Sequence, residues 1–192
     1  MATKKKAAKA MKAAPKKKAA AATKPAPVSQ WSPTAMFLDA FQKEHETTMR
    51  VIRALPPGQG EFRPHPRSQS ARELTFTFVM EQAMMSLAIR DQLKLGGGVP
   101  KAPADFGMIV DQFESDYRAL TELIKHSPHK AFAGTVDFPT GPGKIGSWPK
   151  IEFMYFLLRD QIHHRGQLSV YVRMAGGKVP SIYGPSADEP WT

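Results

Sequence analysis

The 192 residues include 27 basic and 17 acidic side chains, a formal net charge of +10, and no cysteine. Disulfides and thiolate chemistry are therefore excluded, which fits a reducing, cytoplasmic setting. No stretch approaches the ~20 consecutive apolar residues of a membrane span. With 42% hydrophobic residues the chain can build one packed domain and an appendage.

The charge is unevenly placed. Residues 1–27 hold nine lysines and no acid, which leaves 18 basic and 17 acidic residues, a net of +1, in the remainder. Residues 1–30 read as a disordered Lys/Ala/Pro tail. They lack the aromatic and branched residues needed to offset ordering entropy, and Pro15, Pro25 and Pro27 oppose a helix. The tail has no leucine-rich stretch and no arginine, so it makes a poor signal or transit peptide. Lys4, Lys5, Lys6, Lys16, Lys17 and Lys18 are candidate contacts to nucleic acid, bound without sequence preference by counterion release. The tail resembles those of nucleoid-associated proteins, so association with the nucleoid is one expectation. A merely solubilising extension is the other.

The first helix begins at Ser32, a suitable N-cap, with Pro33 in the first turn. Its stripe runs from Met36 and Phe37 through Phe41 and Met49 to Ile52 and Leu55, until Pro56-Pro57-Gly58 stops it. A polar loop follows. The second helix is expected from Ser70, paired with Glu73 in a capping box, to Leu95, where Gly96-Gly97-Gly98 ends it. The third covers about Ala104–Lys125. His126–Lys150 is a long connection in which Ala131–Phe138 suits extended chain. The fourth starts near Trp148 or Pro149 and runs to Met174, closed by Ala175-Gly176-Gly177, and a helical turn is expected at Pro185–Glu189. The pattern predicts an all-α, four-helix bundle over 31–192, with one long connection between the third and fourth helices.

Three elements near the C-terminus carry a resemblance: His163-His164-Arg165-Gly166-Gln167, then Tyr171-Val172-Arg173, then Val179-Pro180 with Ile182-Tyr183-Gly184. Phe41–His45, Val51–Pro56, Phe62–Ser68 and Ser70–Leu74 support it. Together they resemble the DinB/YfiT-like superfamily over about residues 35–190. That resemblance implies a four-helix bundle, commonly a homodimer, with one divalent metal held by three side chains. It also implies metal-dependent hydrolase or thiol S-transferase activity on a small molecule that the sequence does not identify. The damage-inducible label attached to the family describes regulation of its founding gene.

The family pattern places one metal-binding histidine early in the second helix and two in the fourth at i and i+4. Here these positions fall on Thr77, Asp160 and His164. Residues four apart share a helix face, so Asp160 and His164 can reach one ion. A threonine hydroxyl is a weak ligand, but Glu81 stands one turn beyond it and can replace it. Zn, Ni, Mn and Fe are the candidate ions, and the oxygen-rich set favours Mn or Fe over Zn. Against a bound ion, the two substitutions mark a degenerate site that binds metal weakly or has been lost or repurposed. Glu81 and His45 are the candidate proton carriers, although His45 also suits a partly exposed surface position. His163, one residue off the ligand face, is expected to pack or hydrogen-bond within the bundle. Arg165 and Arg173 suit anion contacts in a cleft or exposed ion pairs, and Gly166 is expected to permit close helix approach. There is no nucleophile elbow and no phosphate loop. The alternative to an enzyme is a non-catalytic bundle that associates with a polyanion through its tail.

Overall fold

The computed structural model describes residues 32–191; the tail expected at 1–30 and its lysines lie outside them. Helix α1 spans Pro33–Arg53, α2 Ala71–Ile89, α3 Phe106–His126 and α4 Lys150–Met174. Both sequence caps are present. The Ser32 hydroxyl accepts from the Ala35 amide, and Ser70 and Glu73 form the reciprocal capping box. Asp105 supplies a third cap, accepting from the Gly107 amide.

Four helices form the body, but the domain is not purely α. The long connection folds into a hairpin, β1 (Thr135–Gly141) paired antiparallel with β2 (Lys144–Pro149), with an irregularity between Pro139 and Gly141. Val136 from β1 is buried, and the ring of Phe138 packs at a tilt against Phe153 of α4, centroids 4.9 Å apart. The hairpin thus caps one end of the bundle. Short 3₁₀ turns occupy Gln59–Glu61 and His129–Phe132.

α2 stops six residues sooner than expected. Arg90 ends it, and Asp91 turns the chain away at φ 57. Leu93 and Leu95 continue the apolar pattern outside the helix, in a strap that crosses back to α3. The expected turn at Pro185–Glu189 is not helical; it is a series of bends in which the Ser186 hydroxyl accepts from the Asp188 and Glu189 amides.

The core has two apolar ends. One gathers Phe37 and Phe41 of α1, Met85 and Ile89 of α2, and Phe153–Leu158 of α4. The other gathers Val51 and Ile52, Leu74 and Phe78, Ile109 and Phe113, and Leu168 and Val172. Each such fully buried side chain contributes about 1.5–3 kcal/mol. Between the ends, buried polar groups meet: His45 and Thr48 on α1, Glu81 and Gln82 on α2, Gln161 and Arg165 on α4.

Candidate metal centre

The α2 and α4 helices pack side by side, and at mid-bundle they bring three metal-ligating side chains together. Glu81 comes from α2; Asp160 and His164 come from one face of α4, one turn apart. One ligand atom of each lies within 4.8 Å of the other two. His164 Nε2 is 3.6 Å from Asp160 Oδ2 and 3.9 Å from Glu81 Oε1. Two ligands each about 2.1 Å from an ion stand roughly 3.0–3.5 Å apart, so the two contacts of His164 need only a few tenths of an ångström of closure.

Glu81 is the buried member, 1% exposed, and neither carboxylate oxygen has a hydrogen-bond partner of ordinary geometry. Burial, and then the negative charge of Asp160, push its carboxyl up to about 10. Asp160 is 39% exposed and opens the site to solvent.

A relay orients the histidine. His164 Nδ1 donates to Gln167 Oε1 at 3.0 Å, and Gln167 Nε2 donates to His163 Nε2 at 3.1 Å. With Nδ1–H committed to Gln167, the ring of His164 turns Nε2 towards the two carboxyl groups. With Glu81 ionised, two carboxylates and Nε2 of His164 converge, an arrangement that a cation would answer. Without an ion, Glu81 keeps its proton and Asp160 is the acceptor beside it.

The remaining sequence candidates fall elsewhere. Thr77 is half-buried, and its hydroxyl bonds back to the Glu73 carbonyl at 3.4 Å within its own helix. His45 is neither at the surface nor grouped with the three ligands. It is 7% exposed, its ring stacks on Tyr117 at 3.5 Å, and its Nδ1 has no partner. Burial, followed by the charges of Arg53 and Arg118, lowers its pKa to about 4. His163 is exposed; it hydrogen-bonds, through the relay at the surface, and does not pack inside the bundle. Arg165 makes no exposed pair: it is 1% exposed and donates to Glu44 Oε2 at 2.6 Å. Arg173 does form a half-exposed ion pair, with Asp188. Gly166 faces open space and mediates no close approach. Sequence reasoning missed Gln167 as the orienting residue, although its i+3 spacing from His164 signals it.

Comparison with known proteins bears on the same region. Residues 115–191 match the DinB family. A 41-residue stretch is 49% identical to the protein YrdA of Bacillus subtilis (strain 168), covering 21% of this chain and 25% of that relative. Among solved structures, a DinB-like protein from Bacillus cereus ATCC 10987 superposes with a TM-score of 0.60 at 26% identity, over 77% of this chain and 95% of that one. A second DinB-like protein, YjoA of Bacillus subtilis, superposes equally well at 0.60 over 76% and 96%; at 16% identity it supports the fold alone.

Proposed function

The chain belongs to the DinB superfamily, and from that premise we propose that it is a metal-dependent hydrolase or thiol S-transferase-type bundle whose ion is held by Glu81, Asp160 and His164. The observation that supports this reading is the convergence of three ligand-bearing side chains, their ligand atoms within 4.8 Å of one another and the Glu81 carboxyl among them 1% exposed. Two carboxylates and one imidazole suit Mn or Fe better than Zn. Such an ion supplies Lewis acidity towards a carbonyl, water or thiol.

The protein groups have separable tasks. Glu81 holds a proton at its buried carboxyl until an ion displaces it. Gln167 fixes the ring of His164 so that Nε2 faces inward. Asp160, at the solvent side, has a second oxygen that can accept the proton of an entering water or thiol. Leu157, buried one turn before Asp160 on α4, gives the site an apolar neighbour.

Elemental analysis of protein purified without a histidine tag tests the reading. About one equivalent of a divalent transition metal is expected, lost in His164→Ala and Glu81→Gln. Gln167→Ala should weaken affinity about 10–100-fold. Metal-free protein that gains no thermal stability from added Mn, Fe or Zn would overturn it.

A second, compatible reading rests on the lysine excess in residues 1–27, set against a body of net charge +1. We propose that this tail binds nucleic acid or another polyanion. Full-length protein should bind duplex DNA with a steep salt dependence that a chain starting at Val28 lacks. Equal binding by the two would remove the tail's role.

A further inference from the structure

The strap between α2 and α3 is tied down at both ends and open in the middle. At its start, Asp91 pairs with the buried Nζ of Lys150 at 2.7 Å. At its end, Arg72 donates to the Ala102 and Pro103 carbonyls at 2.9 and 2.8 Å. Between these anchors Gly96 and Gly98 take φ of 106 and 72, conformations that favour glycine, and carry the chain over the outer face of α2.

Two clefts lie beneath this span, and they adjoin along Met80, Val99 and Pro100. The first, about 640 Å³, is bordered by Arg63, Arg67 and Lys101 around Thr77. Arg63 is already paired, with Glu73 at 2.9 Å. Among the described residues, Arg67 and Lys101 have no ion-pair partner, so this end is net positive. The second cleft, about 520 Å³, is walled by Met84, Leu87, Leu93, Leu95 and Phe138. Leu87, Leu95 and Val99 are 37%, 44% and 81% exposed, three large apolar side chains left to solvent on one stretch of surface. This is where the apolar pattern outruns the helix: Leu93 and Leu95 line the cleft and do not extend α2.

We propose that this composite groove binds a single-chain anionic amphiphile. Its carboxylate lies between Arg67 and Lys101 and its alkyl chain runs past Met80 beneath the strap. From Met80 to Leu87 the helix rises about 10 Å, enough to back roughly eight carbons of extended alkyl chain. The methionines adapt to a flexible chain, and the two cations select an acidic head. The lysine-rich tail is no competitor for this groove, since it is positively charged and lacks large branched or aromatic residues. The site stands apart from Asp160 and His164 and does not depend on a bound ion.

Calorimetric titration of the full chain with decanoate, 1-decanol and butyrate tests this. Decanoate should bind one to one and at least tenfold more tightly than either comparison ligand. The double variant Arg67→Ala/Lys101→Ala should lose the preference for decanoate over decanol. Leu87→Asp and Val99→Asp should each weaken decanoate at least tenfold, and Val99→Asp, at an 81% exposed position outside the helices, should do so with the unfolding midpoint unchanged. The proposal fails if decanoate does not bind. It also fails if the double variant still prefers the carboxylate, or if the groove substitutions alter only the oligomeric state.

Discussion

Arg165 is the largest side chain that the bundle hides completely. Its guanidinium closes a ring of partners from distant segments. Nη1 donates to Glu44 Oε2 at 2.6 Å and Nη2 donates to the Tyr183 hydroxyl at 2.6 Å, while that hydroxyl donates to Glu44 at 2.7 Å. The same guanidinium lies 5.0 Å from the centre of the Tyr183 ring. One residue thus ties α4 to α1 and to the C-terminal segment. The sequence around it, His163-His164-Arg165, does not reveal this, because its main partner lies 121 residues away. Glu81 was more legible, since its spacing from Thr77 places it on the expected face. Arg165→Met should cost about 3 kcal/mol in denaturant unfolding, because Glu44 loses its countercharge in a site it shares with Tyr183. Arg165→Lys should rescue little of this, since an ammonium lacks the planar fork that reaches both partners. A loss below 1 kcal/mol would show that the ring is incidental.

The first two helix starts were readable because they carry local chemistry: Ser32 with Pro33, and Ser70 with Glu73. Ends and connections depend on contacts that sequence neighbours do not encode. α2 ends at Ile89 although Leu93 and Leu95 extend its pattern, and the hairpin offers only Val136 and Phe138 as alternating apolar residues in β1. Glycine was the least legible residue type. Gly166, within α4, has nothing within 4 Å of a built Cβ. At Gly177 a Cβ would stand 2.6 Å from the Ala54 carbonyl and 2.8 Å from Val172 Cγ1, where the end of α4 meets the end of α1. The two positions should respond oppositely to alanine. Gly166→Ala should gain about 0.5–1 kcal/mol through helix entropy. Gly177→Ala should lose about 1–3 kcal/mol through overpacking against backbone that cannot retreat. Thermal melts of the two variants check this, and a neutral Gly177→Ala would mean that the α1–α4 junction relaxes.

At the scale of the molecule, the polar midsection makes stability depend on pH from both directions. His45 titrates at about 4 in the fold against 6.5 in the unfolded chain. Within that window the unfolded chain binds the extra proton, so stability rises with pH. Glu81, without an ion, titrates at about 10 against 4.5. Within its window the folded state binds the extra proton, so stability falls as pH rises. Each slope is at most about 1.4 kcal/mol per pH unit. Between pH 4.5 and 6.5 the two oppose each other and the metal-free protein should be nearly level. Above 6.5 only the Glu81 effect remains and stability should decline steadily. Glu81→Gln should abolish that decline, and His45→Asn should expose it already from pH 4.5. An ion at the centre displaces the Glu81 proton, so the stabilisation it confers should grow with pH. Denaturant midpoints measured at pH 5, 6.5, 8 and 9, in chelator and in excess Mn, separate these effects. A metal-free curve that does not fall above pH 6.5 would mean that Glu81 is solvated in the fold, and the converging-acceptor argument for the metal centre would fall with it.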